Sequence, residues 1–141
     1  MSTIIAVADA VASELNAGTF SQAFTAQRHY VAEFPLEELG VLHVSIVPAG
    51  VPMIQARDRS RLVREVQVYV VIQKKAAEKP ALDLLMNFVE EIVEFLALRS
   101  LAAYPAAAWA RTENAPAYAP DRLRQDGLFE SALAITFRVA N

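Results

Sequence analysis

The chain has 141 residues, of which 55% are hydrophobic and 21% are charged, and its formal net charge is −3. A chain of this length folds as one domain with its own core, so we expect residues 1–141 to form a single domain. The mildly acidic balance disfavours a dedicated nucleic-acid-binding protein, which is usually basic. The absence of cysteine excludes disulfide bonds and thiolate metal sites.

From the first residues of the sequence we expect no targeting signal. It has no basic leader, and Asp9 interrupts its apolar residues too early for a signal peptide. No apolar run approaches the roughly 20 residues that span a bilayer. We therefore expect a soluble protein, with the cytoplasm as the default compartment.

The first half of the chain predicts a helix and two strands. Apolar residues recur at helical spacing over about 3 to about 17, and Gly18 follows them as a stop signal. A weak strand is predicted from Phe24 to Tyr30, and alternation predicts a clearer one from Leu42 to Val47. Residues 49 to 60 exceed the usual hairpin loop of about two to five residues, so we expect a long exposed loop there.

The second half begins with the longest predicted strand, from Arg61 to Lys75, whose apolar end is typical of a central strand. A second amphipathic helix is predicted from about Pro80 to about Leu98. A strand from Trp109 to Glu113 and a polar loop from Asp121 to Gly127 follow. Together with the final strand, described next, the predicted order is helix, three strands, helix, two strands.

The most regular pattern in the sequence is the alternation from Leu128 to Val139. One face of this predicted strand carries Phe129, Ser131, Leu133, Ile135, Phe137 and Val139. Together with the other elements it predicts an α+β fold. We expect a mostly antiparallel sheet of about five strands with two helices packed on one face, in the order α-β-β-β-α-β-β.

The sequence contains no candidate catalytic, cofactor-binding or metal-binding residue. His29 and His43 lack ligand-spaced partners, and the chain has neither a glycine-rich phosphate loop nor a nucleophile elbow. Glu90, Glu91 and Glu94 are typical of a hydrated helix face, although on an assembly surface they could meet a basic partner. We therefore expect a protein that is not an enzyme and that uses no cofactor.

A basic segment is the one candidate contact surface. Arg57, Arg59, Arg61 and Arg64 fall within eight residues, on the predicted loop and the strand that leaves it. A solvated hairpin tip is the plainer interpretation. The alternative is a loop that contacts an acidic protein surface or passing DNA, because the guanidinium fork suits carboxylates and phosphates. A second group, Arg111, Arg122, Arg124 and Arg138, is too dispersed to support a prediction.

Several segments together resemble the tail terminator (tail-completion, or neck) proteins of long-tailed bacteriophages. The resemblance spans nearly the whole chain and is carried by loose motifs. These are Ile5–Asn16, Val66–Lys75, Leu84–Ile92, and Trp109–Asn114 followed by Tyr118–Pro120.

The resemblance implies a structural virion protein without catalytic residues. Six subunits would form a ring that caps the tail tube, ends its polymerisation and joins the tail to the head. Its partners would be further copies of itself, the tail tube protein and the head connector, with DNA passing through the lumen and no membrane involved. The protein would be assembled in the host cytoplasm and located in the tail or neck of the virion, with the loop around Val51 to Ser60 projecting toward the tube or lumen.

Three other interpretations remain open from the sequence. A head-completion or stopper protein would use the same kind of ring on the portal side of the neck. A small-ligand-binding or enzymatic α+β domain belongs to a different class. A soluble assembly domain of unrelated origin is the third.

Overall fold

The computed structural model describes residues 2–49, 53–56, 62–114 and 118–140. The elements in chain order are α1 (Thr3–Ala17), β1 (Ala26–Arg28), a 3-10 turn (Leu36–Glu38), β2 (His43–Pro48), β3 (Met53–Ala56), β4 (Leu62–Lys75), α2 (Lys79–Leu96), β5 (Ala107–Glu113), α3 (Pro120–Asp126) and β6 (Leu128–Ala140).

The strands form one sheet in the order β1-β2-β4-β6-β5. β1 is parallel to β2, and the other pairs are antiparallel. β3 pairs with the first residues of β4, so β2 and β3 both lie along the same side of that long strand. The predicted α+β class and the mostly antiparallel sheet are confirmed.

The core lies between one face of this sheet and the two long helices. Every residue on the predicted inner face of β6 is at most 2% exposed, and the inward residues of β4 are fully buried. α1 and α2 both contribute their apolar stripes to this cluster. Burial of each such large apolar side chain stabilises the fold by roughly 1.5–3 kcal/mol. The apolar face of each alternating strand therefore points toward the helices. The fully buried residues that define this layer are Val66, Val68, Val70 and Ile72 from β4 and Leu133, Ile135 and Phe137 from β6.

Two phenylalanines on α2 extend the core beyond the sheet. Phe88 is fully buried, with its ring 5.2 Å from the ring of Phe24. Phe95 is half-buried, and its ring lies 5.0 Å from that of Phe20. The segment between α1 and β1 is therefore fastened over α2 by aromatic contacts, which are favourable in this edge-on geometry.

The structure adds two short elements to the predicted order. β3 lies in the stretch predicted as a loop, where Pro48, Gly50 and Pro52 break up the pattern and four residues are too few to show a period. α3 lies where a polar loop was predicted, and its residues have no buried side chain to mark a helix. Pro120 at its start and Gly127 at φ 62 just past its end are nevertheless helix boundary signals.

Two predicted elements are shorter than expected. The weak strand predicted from Phe24 to Tyr30 is reduced to the three residues of β1. α2 ends at Leu96 rather than at Leu98, because Ala97 is extended and Leu98 has a positive φ. Among the residues that the structure describes, no helix is long and apolar enough to cross a bilayer.

Candidate assembly surfaces

The basic segment joins β3 to β4. Ala56 and Leu62 are paired across the two strands, so the ends of the segment are held together. Arg57, Arg59 and Arg61 lie outside the described residues, and the expectation that they contact a partner remains a prediction. The predicted loop from Val51 to Ser60 is described only over Met53–Ala56, which form β3.

Arg64 is the member of the basic group whose position is described. It lies on β4 and is half-buried. Its Nη1 donates a hydrogen bond to Thr3 Oγ1 at 3.2 Å, while its Nε is buried without a partner. Arg64 therefore ties the start of β4 to the start of α1, a structural contact that the sequence spacing does not reveal.

Two of the dispersed arginines meet on the outer face of the sheet. Glu65 lies 15% exposed between Arg111, at 3.4 Å, and Arg138, at 3.9 Å. Arg111 also lies 3.4 Å from Glu113, and the two arginine side chains are 50% and 63% exposed. Exposed ion pairs of this kind contribute little to stability, so this network chiefly gives one end of the outer face a mixed, accessible charge.

On β2, β4 and β6 the middle of the outer sheet face carries a row of uncharged, partly exposed residues. Val47, Tyr69 and Ala134 form a row across β2, β4 and β6. Tyr69 is 40% exposed, and Val47 and Ala134 are half-buried. An open sheet face with neutral residues in its centre and charges at its end has the layout of a protein contact surface.

The other end of the outer face is covered by the segment that follows β1. Phe34 stacks on His43 at 4.3 Å and meets the edge of His29 at 5.4 Å. His29 Nδ1 lies 3.2 Å from Ser45 Oγ, and His43 Nε2 lies 2.9 Å from the carbonyl oxygen of Glu38. The two histidines therefore flank a phenylalanine and make structural contacts. In the part of the chain that the structure describes, no three His, Cys, Asp or Glu side chains are grouped as metal ligands.

The three glutamates Glu90, Glu91 and Glu94 of α2 differ in their contacts. Glu91 accepts hydrogen bonds from the backbone N–H of Ser21, at 2.8 Å, and from the Ser21 hydroxyl. It thus anchors the segment between α1 and β1. Glu90 and Glu94 are exposed, and the expectation that they form a hydrated face or meet a basic partner remains open.

The sequence alone does not reveal the grouping of Glu65, Arg111 and Arg138. Alternation alone places Glu65 and Arg138 on the outer faces of their strands. Their contact depends on the register of β4 against β6, in which they are directly paired. A bulge between Trp109 and Arg111 then shifts Arg111 opposite Thr136, and such irregularities leave no pattern in one sequence.

No protein-family model matches the chain, and no curated protein matches its sequence. Among solved structures, it is similar to a chain from the virion of a native gene transfer agent particle. The TM-score is 0.60, the sequence identity is 14%, and the match covers 100% of both chains. At this identity the likeness establishes a shared fold over the whole length of the two chains.

Proposed function

We propose that this chain is a structural protein of a phage-like virion and that it serves as its tail terminator. The observation that carries the proposal is the full-length likeness in fold to a chain of the gene transfer agent virion. The resemblance of the sequence to tail terminators leads to the same kind of particle from separate evidence. In this proposal a ring of six copies caps the tail tube, ends its growth and joins the tail to the head.

The architecture of the subunit suits a ring. A cyclic assembly needs two different patches on each subunit, one for each neighbour. The sheet has two unlike edges, the short parallel strand β1 on one side and the antiparallel strand β5 on the other. The open outer face and the basic segment at one end of β4 then remain for the tube, the head connector or the DNA.

We further propose that the protein acts through shape and not through catalysis. Both histidines make structural contacts, and Glu91 anchors a neighbouring segment. The sharpest charge grouping, around Glu65, is an exposed ion-pair network. Its function in this account is to fix the orientation of a partner, as charges at the rim of an interface do.

The proposal is tested by electron microscopy of the purified protein mixed with tail tubes from the same particle. We expect a ring at one end of each tube. The matched comparison uses portal complexes from the same particle under the same conditions. Binding to the portal alone would favour the head-completion or stopper interpretation, and binding to neither structure would contradict both.

A further inference from the structure

The segment between β1 and β2 that covers one end of the outer sheet face, residues 30–41, is called the strap here. Four of the eight exposed large hydrophobic side chains that the structure describes lie in the strap. Single exposed apolar residues are ordinary, but a concentration of them is typical of an interaction surface. They are Tyr30, Val31, Leu36 and Val41, with exposed fractions of 68%, 61%, 39% and 70%.

The strap is also acidic. Glu33, Glu37 and Glu38 are exposed, and residues 29–56 contain no lysine or arginine. Within the described part of the chain these three carboxylates form no ion pair, whereas every arginine except Arg64 lies 3.9 Å or less from a carboxylate. The strap therefore presents negative charge that the described part of the subunit does not neutralise.

The strap is fastened to the sheet at several points. The carbonyl oxygen of Ala32 accepts a hydrogen bond from Gln73 Nε2 at 3.1 Å, and that of Leu39 accepts the backbone N–H of Lys75 at 2.7 Å. Leu39 is itself fully buried, and Phe34 lies between two histidine rings. The carboxylates and apolar side chains are therefore held on a preorganised surface, which lowers the entropic cost of binding a partner.

The basic segment has the complementary composition. Residues 57–61 contain three arginines and one aspartate, and apolar residues flank them in the sequence, Met53-Ile54 before and Leu62-Val63 after. The guanidinium fork pairs well with carboxylates. A basic segment with apolar flanks therefore matches the strap both in charge and in apolar character.

The basic segment cannot reach the strap of its own subunit. The strap is anchored at Gln73 and Lys75, near the end of β4, whereas the basic segment enters β4 at Leu62. Eleven residues of β4 separate Leu62 from Gln73, which is roughly 36 Å at the rise of an extended strand. The ends of the five-residue segment, Ala56 and Leu62, are paired, so its backbone extends at most about 10 Å from that pair.

We propose that the basic segment of one copy of this chain binds the strap of the next copy. Its guanidinium groups pair with the strap carboxylates, and its apolar flanks pack on the exposed strap side chains. Because the two surfaces lie at opposite ends of β4, the contact is head-to-tail and repeats from copy to copy. The inference rests on the proposed ring and deepens it, since it names a contact between subunits. The tail tube, the head connector and DNA are the other partners open to the basic segment.

Analytical ultracentrifugation of the full chain and two charge-reversed variants tests the contact. Self-association of the strap variant should weaken at least about tenfold, because like charges then face each other. The control variant makes the same change of net charge at three exposed carboxylates of α2 and should associate like the parent chain. Thermal unfolding verifies that both variants keep the fold. The substitutions are Glu33→Lys, Glu37→Lys and Glu38→Lys in the strap variant and Asp83→Lys, Glu90→Lys and Glu94→Lys in the control variant.

A mixing experiment tests the pairing of the two surfaces. The segment variant carries Arg57→Glu, Arg59→Glu and Arg61→Glu, and alone it should be as defective in association as the strap variant. In an equimolar mixture of the two, each strap again meets a segment of opposite charge, so the variants should assemble in alternation. A ring of six accommodates three copies of each. A mixture that stays monomeric would overturn the inference.

The outcomes separate this contact from the proposed function. A parent chain that stays monomeric at every soluble concentration, or a strap variant that associates like the control variant, overturns the contact and leaves binding to tube ends intact. A parent chain whose association depends on the strap but that does not bind tube ends contradicts the terminator role and leaves the contact standing. A gel-shift measurement with duplex DNA covers another partner of the segment. DNA binding that needs the three arginines, together with association that does not, assigns the segment to DNA and overturns the contact.

Discussion

Arg99 and Glu14 form an ion pair at 3.0 Å although 85 residues separate them in the chain. The second carboxylate oxygen of Glu14 accepts the backbone N–H of Ala102 at 2.9 Å. Arg99 also donates its Nε to the carbonyl oxygen of Phe95 at 2.8 Å. Glu14 thus clamps the end of α1 to the segment that follows α2.

The clamp predicts an acid-sensitive contribution to stability. The pKa of Glu14 is lowered from its ordinary value of 4.5, first by the hydrogen bond from Ala102 and further by Arg99, with burial opposing. A carboxyl with a lowered folded pKa stabilises the fold above its unfolded value and loses that contribution as pH falls through the folded value. Glu14→Gln should therefore cost about 1.5–3 kcal/mol at neutral pH, the range for hydrogen bonds to a charged group, and should show a shallower loss of stability in acid.

Urea unfolding at neutral pH and at pH values below 4.5 checks this expectation. Glu90→Gln is the control, because it removes an exposed carboxylate of the same type and should change stability by less than about 0.5 kcal/mol. Equal behaviour of the two variants would refute the clamp.

Gly18 lies under the aromatic cluster between α1 and α2. A Cβ at this position would come within 2.8 Å of ring atoms of both Phe20 and Phe95. Gly18→Ala should therefore displace the rings and lower the free energy of unfolding by about 1–3 kcal/mol, as overpacking does. Gly40→Ala is the matched control, since a Cβ there meets nothing within 4 Å. Thermal unfolding of the two variants is the measurement, and a neutral Gly18→Ala would mean that the rings move freely.

Thr136 has a buried hydroxyl without a hydrogen-bond partner and is 2% exposed. Replacing it with valine removes the unsatisfied group and keeps a β-branched side chain, so Thr136→Val should stabilise the fold by about 1 kcal/mol. Thr112→Val should do the reverse, because Thr112 Oγ1 accepts the indole N–H of Trp109 at 2.8 Å. Chemical denaturation distinguishes them, and a destabilised Thr136→Val would contradict the assignment.

If the basic segment contacts a partner, replacing its arginines should impair the joining of tail and head without unfolding the protein. Replacing Arg57, Arg59 and Arg61 together with alanine should leave the unfolding midpoint unchanged and impair tail or head joining in a complementation assay. Arg64→Ala should behave differently, since it removes the bond to Thr3 and should lower stability. Normal joining by the triple variant would eliminate the segment as a contact surface.

The sequence predicted most of the fold because the long elements carry strong periods. The inner face of β6 alternates over its whole length, and α1 and α2 show apolar stripes. The short elements β3 and α3 were missed, since four and seven residues carry too little pattern. The sequence also predicted an end of α2 at about Leu98, two residues beyond its end at Leu96.

The candidate surfaces were less predictable than the fold. Local spacing identified the basic segment, but the contact of Arg64 with Thr3 depends on packing across 61 residues. The network of Glu65 with Arg111 and Arg138 depends on strand register and a bulge.

The most direct test of the terminator role is the length of tail tubes grown from purified tube protein of the same particle, with and without this chain. A protein that caps the tube should shorten the tubes as its concentration rises, and a ring should be visible at one end of each. Tubes of unchanged length with bare ends at every concentration of the parent chain would contradict the account.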